Sequence, residues 1–194
     1  PDKPAGRGRQ LHESDVKIAA REMGLPILQP EKLRDPEFVA TMEALQPDLG
    51  IVIAFRMLPE VIWKMPRLGT FNLHASLLPQ YRGAAPINWA IINGEERTGV
   101  TTFLLNHEID KGAIIGQLEE PIRAEDTIGT LYDRLMYKGP GLVLETVEKL
   151  AAGDVEPIEQ QHIDEQTLKP APKIFKEDCH IDWSWEGERI VNFV

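Results

Sequence analysis

Apolar and polar positions along the chain sort into helical and extended stretches. After Ser14 or Asp15, either suited to an N-cap, Val16, Ala19, Ala20 and Met23 recur at helical spacing until Gly24 stops the run. "LPILQP" at 25–30 predicts a short strand, and Phe38, Met42 and Leu45 mark a second helix that ends before Pro47. "LGIVIAF" at 49–55 is apolar on both faces, the pattern of a strand inside a parallel sheet. "TFNLHA" reads as the next strand, "INWAIING" as a helix begun at Pro86, and "TGVTTFLL" and "AIIGQLEEPI" as two further strands. Thr127 is placed to cap a helix carrying Ile128, Leu131, Tyr132 and Leu135, and Pro140 to open another carrying Val143, Val147 and Leu150, with Gly153 as its stop. Helices and strands alternating at these lengths predict an α/β fold with a mainly parallel sheet and flanking helices.

The two ends break this pattern. "PDKPAGRGRQ" reads as a loop, because two prolines and two glycines interrupt any period. From Val155 to Val194, prolines 157, 170 and 172 and the scarcity of apolar clusters suggest a linker. Both ends read as fragment ends.

Composition narrows the class. Of 194 residues, 42% are hydrophobic and 27% charged, as in an ordinary globular protein with a packed core. No apolar run approaches the roughly 20 residues of a membrane-spanning helix, and the polar start lacks a signal-peptide core. The single Cys179 excludes an internal disulfide framework, and the histidines lack zinc-ligand spacing. A soluble cytoplasmic protein without metal or membrane is therefore expected. The net charge of −10 argues against broad nucleic-acid binding, but Lys3, Arg7 and Arg9 form a local basic cluster able to meet a phosphate backbone.

The candidate chemistry sits in "FNLHASLLPQYRG" at 71–83. Residues two apart on a strand share a face at about 6–7 Å, so Asn72 and His74 project together while Phe71 and Leu73 turn into packing. The pair lies at a strand's carboxyl end, where open α/β sheets bind ligands. An imidazole and an amide NH2 can both donate to a developing oxyanion, which is the equipment of acyl transfer. In "LLNHEIDKGAIIG", Asp110 is the preferred orienting carboxylate, next to Gly112, where backbone can approach a ligand. The alternative for each of these residues is a polar side chain satisfied by loop backbone. Trp183 and Trp185 read as packing anchors.

"FNLHASLLPQYRGAAPINWAIINGEERTGVT", followed by "HEIDKGAII", resembles the folate-dependent formyltransferases, with their Asn-x-His, Ser-Leu-Leu-Pro, Arg-Gly-x-x-Pro and later Asp-x-Gly. "PDKPAGRGRQL", "MPRLGTFNLH" and "APKIFKEDCHIDW" are similar to the branch that acts on methionyl-tRNA. The resemblance implies a Rossmann-like catalytic domain over 1–154, lacking its first strand-helix-strand, and a linker over 155–194 leading to an OB-type β-barrel. It also implies formyl transfer from 10-formyltetrahydrofolate to the α-amine of initiator methionyl-tRNA, by a monomer. Asn72, His74 and Asp110 match the catalytic trio. Phe55, Arg56, Met57 and Leu58 match one wall of the folate pocket, and Asn106, His107, Ile109 and Gly112 match the other. Lys3, Arg7, Arg9 and Lys173 match tRNA contacts. Lys111 and Ala113 depart from the family pattern. The competing readings are a formyltransferase acting on a small amine, such as an amino sugar nucleotide or glycinamide ribonucleotide, a hydrolase of the formyl donor, and a non-catalytic folate- or tRNA-binding module.

Overall fold

The computed structural model describes residues 3–5, 10–53, 57–160 and 165–194. The chain divides into two compact units, Pro1–Gln46 and Pro47–Val194.

In the first unit, β1 (Lys3–Ala5) pairs antiparallel with β2 (Gln10–His12), so part of the expected loop is a strand. Ser14 caps α1 (Asp15–Glu22) by accepting from the Lys17 amide at 3.3 Å. Asp35 caps α2 (Pro36–Ala44), where Pro36 gives up no needed donor at the first turn. The strand expected at 25–30 does not form. Pro26 and Pro30 have no N–H to offer a ladder, which outweighs the apolar run between them.

The second unit holds β3 (Gly50–Ile53), α3 (Glu60–Trp63), β4 (Thr70–His74), α4 (Pro86–Ile92), β5 (Arg97–Leu104), β6 (Ile114–Pro121), α5 (Ile128–Ala152) and α6 (Gly187–Phe193). Its sheet runs β3-β4-β5-β6. β3 is parallel to β4, but β4 to β5 and β5 to β6 are antiparallel, so the sheet is mixed rather than mainly parallel. The apolar pattern could not show this, because β5 is buried on both faces and reads alike in either direction. The direct β5–β6 hairpin enforces antiparallel pairing. Among the described residues β3 has a partner on one side only, and Ile51 and Ile53 are 47% and 55% exposed.

α5 is one helix across Pro140, not two. Pro140 removes a single backbone donor, whereas Leu131, Leu135, Gly139, Leu142, Thr146 and Leu150 form an unbroken buried stripe along its whole length. Leu131, Leu135 and Leu142 pack with Val100, and Leu73, Ile87, Ile91 and Ile122 close around them. A Cβ at position 139 would come within 2.9 Å of a Leu73 methyl, so glycine lets α5 touch β4. The Thr102 and Thr146 hydroxyls, 2.8 Å apart, tie the far half of the helix to β5.

The stretch 155–194 lies in this second unit. Ile158 bridges Ile114, Ala171 bridges Gly83, and the Trp89 indole donates to the Pro172 carbonyl at 2.7 Å. Trp185 meets Phe193 edge to face at 5.1 Å with Arg189 over its ring, but Trp183 is 77% exposed and anchors nothing. Among the described residues no helix is long and apolar enough to cross a membrane.

Candidate active site

α5 covers the sheet face that carries Leu73, which leaves Asn72 and His74 on the other face, at the end where β4 gives way to the loop 75–85. Phe103, paired with Asn72 across β4 and β5, shares that face and meets the His74 ring edge-on at 6.5 Å. His74 is only 8% exposed.

The imidazole is held from both sides. Its Nε2 is 2.8 Å from the Tyr81 carbonyl oxygen, which can only accept, so Nε2 carries a proton. Nδ1 is left facing Asp110, 4.0 Å from Oδ2, at ion-pair rather than hydrogen-bond range. His74 thus combines both sequence expectations: one nitrogen is satisfied by loop backbone and the other addresses the expected carboxylate. Asn72 has no side-chain hydrogen bond to any described residue.

Two backbone conformations present these groups. Tyr81 and Asp110 adopt φ of 60° and 54°, left-handed values uncommon for residues with a Cβ. Tyr81 is buried, its amide donates to the Lys169 carbonyl at 2.7 Å, and its hydroxyl donates to Glu95 at 2.5 Å. Burial and the hydrogen bond to Glu95 push the phenol far above its ordinary range. Burial works against ionisation of Glu95, but the Lys169 ammonium and the Tyr81 hydroxyl outweigh it and hold the carboxyl below its usual value. Asp110 Oδ2 accepts from the Gly83 amide at 2.9 Å. Gly83 has φ of 127°, and a Cβ there would lie 2.4 Å from the Ala171 carbonyl oxygen, so only glycine fits.

The loop after β5, which carries the second stretch assigned to the folate pocket, packs against α3. His107 Nε2 is 3.7 Å from Glu60, and its ring lies edge-on to Trp63 at 5.3 Å. Met57 and Ile109 are exposed apolar residues and Leu58 is partly buried. The Asn106 side chain accepts from the Glu108 amide at 2.9 Å, and Lys111 pairs with Glu108. Gly112 also meets a packing demand, since a Cβ there would fall 1.6 Å from the Leu104 carbonyl oxygen. Its close approach is to β5. Phe55, Arg56, Arg7 and Arg9 lie outside the described residues, and Lys3 lies in β1 of the first unit. Lys173 is exposed, its ammonium 5.0 Å from the Phe175 ring, two residues beyond the Ala171 that bridges Gly83.

Sequence reasoning missed Tyr81, Gly83 and Gln160. The first two act through backbone atoms, and Gln160 reaches the site across fifty positions, donating to the Asp110 and Gly112 carbonyls at 3.1 and 2.7 Å. Ser-Leu-Leu-Pro and Arg-Gly marked this loop but not the backbone atoms that act in it.

The mixed sheet thus sets a shielded imidazole at the end of β4 against a carboxylate from the loop after β5, on the face that also carries an amide free of described partners; groups of these kinds can carry a proton and polarise a carbonyl. The chain belongs to the formyl transferase family, whose pattern it matches over residues 1–147. The methionyl-tRNA formyltransferase of Bacteroides fragilis is 56% identical over 195 residues, covering 100% of this chain and 60% of that protein. The protein of the same name from Parabacteroides distasonis is 59% identical over 197 residues, 100% of this chain and 61% of that one. The chain therefore spans about three fifths of the length of these curated relatives. Among solved structures, HypX from Aquifex aeolicus in complex with tetrahydrofolic acid is 27% identical with a TM-score of 0.65, over 82% of this chain and 28% of HypX. The sugar 3N-formyl transferase WlaRD, 20% identical with a TM-score of 0.70 over 93% of this chain and 61% of its own, shares the fold.

Proposed function

We propose that the protein transfers the formyl group of 10-formyltetrahydrofolate to the α-amine of methionine on initiator tRNA, as a translation enzyme of the cytoplasm. The observation that carries this reading is the His74–Asp110 pair with Asn72 on the face of β4 turned away from α5, in a chain 56% identical over its whole length to a methionyl-tRNA formyltransferase. A folate donor is supported by the relative HypX, solved with tetrahydrofolic acid, and by the exposed apolar Met57 and Ile109 in the two stretches assigned to its pocket. Lys3, Arg7 and Arg9 would grip the tRNA backbone, with Lys173 near its acceptor end.

In the reaction, the neutral amine attacks the formyl carbon. An α-amine with a pKa near 8 is partly neutral at pH 7, so no strong base is required first. The Asn72 amide donates to the oxyanion that forms. Because His74 Nε2 is committed to the Tyr81 carbonyl, the proton shed by the attacking amine passes to Nδ1, where Asp110 stabilises the imidazolium. The same proton goes to the departing folate nitrogen as the old C–N bond breaks. One N–H is lost and one gained, so formyl-amide and tetrahydrofolate leave with no net change in protons.

The test is formyl transfer to methionyl initiator tRNA by the full-length protein beside its His74→Ala variant. Loss of about 10²–10⁴-fold in kcat, the usual contribution of a positioned acid-base group, is expected. Donor consumption without tRNA formylation would instead favour a small amine or water as acceptor.

A further inference from the structure

We propose that Gln160 is a positioning residue for the reaction, a clasp that sets Asp110 against His74 by tying together the loops after β4 and β5. This rests on the reading of Asp110 as the partner of His74. Gln160 is only 9% exposed, and all four hydrogen-bonding capacities of its amide are taken. Nε2 donates to the Asp110 carbonyl at 3.1 Å and to the Gly112 carbonyl at 2.7 Å. Oε1 accepts from Arg82 Nη2 at 2.8 Å and Nε at 3.3 Å.

These contacts bear on one hydrogen bond. The Gly83 amide donates to the Asp110 carboxylate, and Gln160 holds Arg82, the residue just before the donor, together with the backbone of the acceptor. Asp110 is thereby fixed at both ends, its carbonyl by Gln160 and its carboxylate by Gly83. A left-handed aspartate persists only when its surroundings over-determine it, and the clasp supplies that constraint. Gln160 is itself delivered by the bridge between Ile158 and Ile114, in which each amide donates to the other residue's carbonyl at 2.8 Å. The stretch that reads as a linker therefore contributes to the alignment of the candidate active site.

The experiment compares full-length wild type, Gln160→Met and Gln160→Glu. Methionine keeps the volume but removes every hydrogen bond. Glutamate keeps an acceptor for Arg82 but has no N–H for the two carbonyls. Both should lower kcat on the order of 10²-fold, the cost of misplacing a reacting group by about 1 Å, with the KM for tRNA little changed. Hydrogen exchange at the Gly83 amide should accelerate in both. In an Asp110→Asn background the same substitutions should cost almost nothing further, because a residue acting through Asp110 has nothing left to position. Unchanged Gly83 protection, or a kcat loss that adds in full to that of Asp110→Asn, would overturn the proposal. Failure of the wild type to formylate methionyl-tRNA would defeat the functional reading alone, since Gly83 exchange reports on the clasp without turnover.

Discussion

At the scale of single residues, the site separates groups that hold from groups that are held. Tyr81 and Gly83 serve through a carbonyl and an amide, so their side chains said little in advance. Asn72 is the opposite case: its amide bonds to no described residue, and the proposed reaction uses it as the donor to the oxyanion. Asn72→Ala should therefore lower kcat by about 10²–10³-fold, the usual cost of one oxyanion donor, while the melting temperature stays close to that of wild type. A melting drop that matches the loss of activity would assign Asn72 to structure instead. The shared face of Asn72 and His74 was legible because strand alternation fixes which neighbours point together, and Asp110, read from its place after a strand end beside Gly112, does lie 4.0 Å from His74. The role of His74 Nε2 was not legible, since it depends on where the Tyr81 carbonyl lands in a left-handed turn.

Among the secondary elements, the joint between β6 and the start of α5 carries the clearest electrostatic dependence. Arg134 on α5 bonds Asp126 at 2.5 Å and Glu120 at 2.7 Å, and Lys138 pairs with Glu120 at 2.5 Å. The Arg134 hydrogen bonds hold the Asp126 carboxyl well below its ordinary range against the penalty of burial, with the Arg123 amide and the Thr130 hydroxyl adding to the effect. Burial would raise Glu120, but Lys138 and Arg134 outweigh it. Both folded values lie below the unfolded values of about 3.9 and 4.3, so the stabilisation is fully present above roughly pH 5 and fades as the pH falls through the folded values. Asp126→Asn should cost about 1.5–3 kcal/mol at neutral pH, the range for losing hydrogen bonds to a charged group, since Arg134 keeps Glu120 as a partner. In thermal melts the gap between variant and wild type should close steadily on acidification; a gap independent of pH would mean that the carboxylate charge is not what stabilises the joint. The other elements were read unevenly. Ser14 and Thr127 act as caps where residue chemistry alone suggests, and Asp35 caps α2 without having been singled out. Pro140 misleads as a helix start because the buried stripe on the sheet, invisible to local propensity, outweighs one missing hydrogen bond. The tail from 155 misleads because its contacts with Gly83, Ile114 and Trp89 are long-range and made largely by backbone atoms.

For the molecule as a whole, the charge distribution poses the sharpest question. A chain with net charge −10 is proposed to work on a polyanion, and self-repulsion must then be overcome locally. Of the basic residues assigned to that contact, Lys3, Arg7 and Arg9 belong to the first unit and Lys173 to the second, which also holds every residue assigned to the folate pocket. If the labour is divided in this way, tRNA use and folate binding should separate under mutation and under salt. Neutralising one phosphate contact on a duplex stem lowers the slope of log affinity against log salt by about 0.9. Arg7→Ala should thus raise the KM for methionyl-tRNA, flatten its salt dependence by about that amount, and leave the Kd for tetrahydrofolate unchanged. Steady-state kinetics across a salt series, with folate binding followed by calorimetry, would read both quantities. Equal losses for tRNA and folate would refute the division, and an unchanged salt slope would make the basic loop ordinary surface in a protein that holds its tRNA elsewhere.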